Sequence, residues 1–102
     1  MRVRRFGKSY AHPLIVLVAM PAEENRTRFA VTAGKSLGNA VQRNRAKRLL
    51  REVLRPLIAD SKPGWNNILI ARKPILTATL PEIKTAVETL MKRAHLFVNK
   101  IQ

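Results

Sequence analysis

Side chains able to do covalent or metal chemistry are scarce in this sequence, and they are scattered. Cysteine is absent, which excludes a disulfide framework, a thiolate zinc site and a cysteine nucleophile together. His12 and His95 are the only histidines and stand at opposite ends of the chain, and Asp60 is the only aspartate. No two carboxylates have the spacing of a metal-binding pair or a general acid–base pair. Gly34-Lys35 and Gly38 resemble a phosphate-binding glycine loop only superficially, because the recognised spacing is missing. His95 falls on an amphipathic C-terminal pattern, where a surface histidine is the simplest reading. His12 precedes Pro13 at a strand start and is the better placed of the two to touch a ligand. The chain therefore supplies no catalytic residue and no direct metal ligand of its own.

What it has instead is positive charge. The 102 residues carry 20 Lys+Arg against 6 Asp+Glu, a formal net charge of +14. Such a chain repels itself until it meets a polyanion, and the two common ones are nucleic acid and anionic membrane. The longest apolar run, Leu14–Met20 before Pro21, falls far short of the about 20 residues a membrane-spanning helix needs. Behind the basic start Met1-Arg2-Val3-Arg4-Arg5 that run loosely resembles a signal peptide, yet no small-x-small cleavage site follows it. A cytoplasmic location is expected.

The charge is concentrated. Asn39 has the character of an N-cap, and the spacing behind it predicts a helix from Ala40 to about Ala59, kinked or ended early at Pro56. At 100° per residue Ala46, Leu49, Leu50, Val53 and Leu54 share one side. Asn44, Lys47, Arg48, Arg51 and Arg55 take the other, with Arg43 and Arg45 flanking near the N-terminal end and only Glu52 opposing them. The helix macrodipole offers no help to cations near the helix start, which is itself positive. A stripe of this kind calls for a ligand that brings negative charge. A membrane-surface helix would want bulky apolar residues opposite its basic face, whereas this one has the Ala/Leu/Val mix of a helix packed on a sheet. Zinc-finger spacing, heptads beside a basic region and paired short helices around a turn are all missing, so no major-groove DNA reader is indicated. Structured RNA, read by shape and backbone, fits better.

The elements that must position this helix are legible from period and punctuation. Ser9–His12 reads as a short edge strand and Leu14–Met20 as a buried strand. Thr27–Thr32 alternates, with Phe29 and Val31 on one face, and reads as a half-buried strand beside its predecessor. Asn66–Arg72 supplies a further strand through Ile68-Leu69-Ile70, closed by Lys73-Pro74. Thr79-Leu80-Pro81-Glu82 has capping-box spacing, and Ile83, Ala86, Val87, Leu90, Met91, Ala94 and Phe97 recur behind it at helical spacing. The order strand, strand, strand, helix, strand, helix predicts a single α+β domain, a two-layer sandwich of one small sheet and two helices. The step through the basic helix is a βαβ unit, a connection that is usually right-handed.

The run Lys35-Ser36-Leu37-Gly38-Asn39-Ala40-Val41-Gln42-Arg43-Asn44-Arg45-Ala46-Lys47-Arg48-Leu49-Leu50-Arg51-Glu52 resembles the signature of the bacterial ribonuclease P protein component: Gly-x-Ala-Val opening a helix, then Arg-Asn-x-x-Lys-Arg, then Arg-Glu. Gly7-x-Ser9 and Ile70-Ala71-Arg72-Lys73-Pro74 agree with it, and the resemblance runs from Val3 onward. It implies a four-stranded mixed sheet with a left-handed βαβ crossover through the long basic helix, plus a C-terminal helix. It also implies the non-catalytic subunit of a ribonucleoprotein endoribonuclease that trims the 5′ leader from precursor tRNA. In that enzyme the catalytic RNA, with Mg2+ bound mainly by the RNA, performs the hydrolysis. The partners implied are ribonuclease P RNA and the precursor-tRNA 5′ leader. Matched positions for RNA contact are Arg43, Asn44, Lys47, Arg48 and Arg51, with Lys35 and Arg45 beside them. Tyr10, His12 and Arg72 are candidates for the leader groove, which in the family lies between the sheet and an N-terminal helix. Two departures stand out. The family's N-terminal helix, with its aromatic residues, is expected to be largely missing from the domain of residues 1–102, Val3 fitting its last apolar position and Phe6 being displaced. Gly34 stands where many members carry a second Lys. The competing reading is a ribosomal or RNA-chaperone type basic protein with no role in tRNA processing.

If about five cations engage phosphates, the log of RNA affinity should fall against log salt with a slope magnitude of several. Titrations between roughly 50 and 200 mM salt check this, and a flat dependence would remove the polyanion reading.

Overall fold

The computed structural model describes residues 7–23 and 25–97. The readings of Val3, Phe6 and the missing N-terminal helix fall outside the described residues. Four strands, β1 (Lys8–Ala11), β2 (Ile15–Pro21), β3 (Thr27–Thr32) and β4 (Trp65–Ala71), form a mixed sheet in the spatial order β1-β2-β4-β3. Helix α1 (Ala40–Ile58) connects β3 to β4, and α2 (Leu80–Arg93) follows β4. Short 3-10 turns at Lys35–Leu37 and Lys73–Thr77 precede the two helices. This is the α+β arrangement the sequence predicts.

One neighbour relation differs from expectation. β3 does not pair with its predecessor β2; it pairs in parallel with β4, which inserts between them and runs antiparallel to β2. The reason lies in the side chains. β4 buries Asn67, Leu69 and Ala71 and half-buries Asn66, Ile68 and Ile70, so it suits a position flanked on both sides. β3 alternates half-buried Phe29 and Val31 with exposed Arg28, Ala30 and Thr32, which suits an edge.

Register then sorts the sheet into two faces. Ile15, Leu17 and Ala19 of β2 stand opposite Ala71, Leu69 and Asn67 of β4, and this face carries both helices. Its core includes Leu50, Val53 and Leu54 of α1 and Ile83, Val87, Leu90 and Met91 of α2. The other face presents Val16, Val18 and Met20 opposite Ile70, Ile68 and Asn66, all half-buried. The unbroken apolar run of β2 thus has one face in the core and one in a half-buried apolar strip. Asn67, 2 % exposed, ties β4 to its neighbour, its Nδ2 donating to the Arg28 carbonyl at 3.2 Å.

Both helices start on reciprocal caps. Thr79 Oγ1 accepts from the Glu82 N–H while Glu82 Oε1 accepts from the Thr79 N–H, the capping box its spacing foretold. Asn39 caps α1 as expected, and Gln42 completes a second box by accepting the Asn39 N–H at 2.9 Å. Pro56 does not end α1 at once. The helix runs two residues further, with Leu57 buried, and the Ile58 carbonyl at its end accepts both the Ser61 N–H at 3.1 Å and Ser61 Oγ at 2.7 Å. α2 stops at Arg93, short of Phe97, in a Schellman motif. Leu96 N–H donates to Met91 O and His95 N–H to Lys92 O, with His95 at φ 57°.

A left-handed backbone strains any side chain bearing a Cβ. His95→Gly should therefore raise stability by roughly 0.5–1 kcal/mol, while a β-branched His95→Val lowers it. Denaturant midpoints of the two variants check the pair of signs.

Candidate nucleic-acid interface

Helix α1 divides cleanly between core and solvent. Ala46, Leu50, Val53, Leu54 and Leu57 are buried. Asn44, Arg45, Arg48, Arg51 and Arg55 are exposed, and Arg43 and Lys47 are half-buried. The predicted cations sort into two rows, with neighbours within each row one helical turn apart. Arg43, Lys47, Arg51 and Arg55 follow each other at i, i+4 along the flank nearer the sheet. Arg45 and Arg48 lie further out, with Asn44 beside them. Glu52 is the sole acid of the helix. Like charges at these spacings repel, so the stripe is a field looking for counter-charge.

The entry to α1 is closely packed. A Cβ at Gly38 would sit 2.1 Å from Gln42 Oε1, and Gly38 adopts φ 156°, so only glycine leaves room for the side chain that closes the cap. Sequence reasoning missed Gln42, although its place three residues after Asn39 was the available signal. It also passed over Val41, which is 76 % exposed and shares the outer face with Arg45 and Arg48.

Strand direction brings the remaining candidates toward the same edge. β3 and β4 are parallel, so their C-terminal ends lie together. From one the chain leads to exposed Lys35 and the start of α1, and from the other to exposed Arg72 and Lys73. Arg72 and His12 meet there: the Arg72 guanidinium donates to the His12 carbonyl at 3.5 Å, and the Arg72 N–H donates to the Leu14 carbonyl at 2.9 Å. His12 Nδ1 accepts the Leu14 N–H at 3.1 Å, and its side chain borders a cleft of about 680 Å³ with Pro13, Pro74, Pro81 and Glu82. Tyr10 is placed differently. It stands opposite Leu17 and packs on the core, on the helix-covered face, while Ser9 and Ala11 share the open face with Val18 and Val16. Among the described residues no group of three or more His, Cys, Asp or Glu side chains could hold a metal ion. No described helix is long and apolar enough to cross a membrane.

Comparison with known proteins decides what this basic helix on a mixed sheet belongs to. The family model for ribonuclease P matches residues 1–95. The chain belongs to the ribonuclease P protein family. A ribonuclease P protein component from Herpetosiphon aurantiacus is 43% identical over 101 residues, covering 99% of this chain and 82% of that one. Another from an Exiguobacterium species is 38% identical over 95 residues, covering 93% and 82%. The solved RNase P protein of Staphylococcus aureus superposes with a TM-score of 0.81 at 31% identity, covering 95% of this chain and 89% of that one. The RNase P protein of Thermotoga maritima, at 22% identity and TM-score 0.78, shares the fold. Membership in the ribonuclease P protein family disfavours the ribosomal or RNA-chaperone alternative.

Because the cations and the core occupy opposite sides of α1, binding and stability should separate. Arg43→Ala, Lys47→Ala and Arg51→Ala should each weaken RNA binding by roughly 1 kcal/mol or more. Their melting temperatures should stay near wild type. Early melting with normal affinity once folded is the opposite result, and it would make the stripe structural.

Proposed function

We propose that this ribonuclease P protein binds the catalytic RNA of the enzyme through α1 and, in that complex, supports endonucleolytic removal of the 5′ leader from precursor tRNA. The observation that carries this reading is the six-cation face of α1, with Glu52 alone against it, on a helix whose other side is sealed into the core. Arg43, Asn44, Arg45, Lys47, Arg48 and Arg51, with Lys35 at the helix entry, contact RNA phosphates and riboses. Asn44 adds a neutral group that both donates and accepts. The leader of the precursor passes along the sheet. The half-buried apolar strip of Val16, Val18, Ile68 and Ile70 supports this path, with Arg72 at its end, while His12 borders the cleft on the α2 side with Pro81 and Glu82. Tyr10, being on the covered face, acts there only through packing.

The chemistry of bond cleavage stays with the RNA. The protein neutralises RNA phosphates and positions substrate, which lowers the concentration of magnesium that the RNA needs. Magnesium is held by RNA oxygens, since a hard divalent cation wants several oxygen ligands and the described acids are not gathered to provide them.

Cleavage of precursor tRNA, with protein alone, RNA alone and both at low magnesium, tests the proposal. Only the combination should be fast, and high magnesium should partly replace the protein. Binding without stimulation would reduce the protein to an RNA chaperone. His12→Ala and His95→Ala should keep cleavage within about tenfold of wild type at saturating magnesium, because a general acid or base contributes roughly 10²–10⁴-fold. A thousandfold loss in a folded, RNA-binding variant would place a catalytic group on the protein.

A further inference from the structure

The inner cationic row of α1 does not end in open solvent. At its C-terminal end Arg51 and Arg55 overhang the outer edge of β3, where Phe29 and Val31 meet Ile58 around a groove of about 370 Å³. β3 is an edge strand, paired with β4 on one side only. Phe29 is half-buried, so the groove has an aromatic wall, and Ile58 is 41 % exposed, one of the few large apolar side chains left open. Arg51 and Arg55 are exposed, and no described carboxylate lines the groove with them. A small apolar slot under two guanidiniums, continuous with a row of phosphate-binding cations, matches a group that is flat and apolar in the middle and anionic at its ends.

We propose that this groove receives a single unstacked nucleobase of the bound RNA, its face against Phe29 and Ile58 and its flanking phosphates on Arg51 and Arg55. The proposal rests on the reading of α1 as the RNA-binding element and deepens it. A cation row alone recognises any A-form backbone by charge and shape. Bases looped out of a helix can be stacked on aromatic side chains, and that is where a protein distinguishes one RNA from another. Base–aromatic stacking tolerates any base, so the groove selects the presence of an extruded nucleotide at a given distance from the phosphates on Arg43 and Lys47. The charge of the slot argues for RNA over an added peptide strand. A strand pairing with β3 would gain backbone hydrogen bonds anywhere along that edge, whereas the groove is confined to the stretch beneath the two arginines.

Two measurements on the full chain test this. In the first, NMR follows titration with adenosine 5′-monophosphate, ribose 5-phosphate and inorganic phosphate. The nucleotide should shift the Phe29 ring and the Val31 and Ile58 methyl signals, and the two base-free anions should leave them in place. Equal shifts from all three would make the groove a phosphate site only, and tighter displacement of the nucleotide by an oligoglutamate peptide would make it a peptide site; either overturns the proposal. In the second, affinity for the catalytic RNA is measured against salt for wild type, Phe29→Leu and Ile58→Gln, the last being a helix-end change that spares the core. Both variants should bind about tenfold more weakly with an unchanged salt slope, whereas Arg51→Ala should lower the slope by about one. Wild-type slope and affinity in both variants would overturn the base groove and leave α1 as the RNA-binding element. A salt-insensitive wild type would overturn both.

Discussion

Packing of one face of α1 against the sheet is the interaction on which the rest depends, because the other face works against the helix. Five like-charged pairs stand at i, i+3 or i, i+4: Arg43–Lys47, Lys47–Arg51, Arg51–Arg55, Arg45–Arg48 and Arg48–Arg51. At about 0.2–0.5 kcal/mol each, and with Arg48–Glu52 and Glu52–Arg55 offsetting two of them, they oppose the helix by roughly 0.6–1.5 kcal/mol. Burying Leu50, Val53, Leu54 and Leu57 contributes about 1.5–3 kcal/mol per side chain. The core term wins several-fold. A cationic helix that would be marginal alone is therefore held ready before any RNA arrives.

The same constraint fixes where the charges point. β3 and β4 are adjacent and parallel, so the chain must cross over between them, and α1 is that crossover. A crossover helix has no freedom to drift, because both of its ends are tied to strands of one sheet. Its N-terminus is anchored by the Asn39–Gln42 box beside the edge from which Lys35, Arg72 and Lys73 emerge. Its C-terminal half lies along β3, which is what makes a groove out of Phe29 and Arg55.

How much of this was legible in the sequence varied with the range of the interaction. The stripe on α1, its N-cap and the capping box of α2 were legible because each is set within one or two helical turns. The partner of β3 was not, since adjacency in sequence says nothing of which strand is flanked on both sides. The face of Tyr10 was hidden for a related reason: Lys8-Ser9-Tyr10-Ala11 has no hydrophobic alternation, and only its register with Leu17 decides which way the ring goes. The end of α2 lacked its usual marker, because the left-handed position is occupied by His95 where a glycine would have announced it. The groove at Phe29 needed a strand and a helix more than twenty residues apart in sequence to be brought together, which no local pattern contains.

The net charge of +14 overstates what is free to meet RNA. The Arg93 guanidinium donates to the Ala11 carbonyl at 3.0 Å and that of Arg72 to the His12 carbonyl at 3.5 Å, so two cations are engaged at the end of the short edge strand β1. Such cations hold the fold as well as colouring its field, and replacing them disturbs β1 before it disturbs any ligand. Cations of the α1 stripe are in the opposite position: Arg45, Arg48, Arg51 and Arg55 are exposed on the helix surface. The physical distinction between the two sets is whether the guanidinium already has a carbonyl. On that basis the cations of α1 are those, among the described residues, that a polyanion could engage without disturbing the fold, whereas those beside β1 are already held by carbonyls.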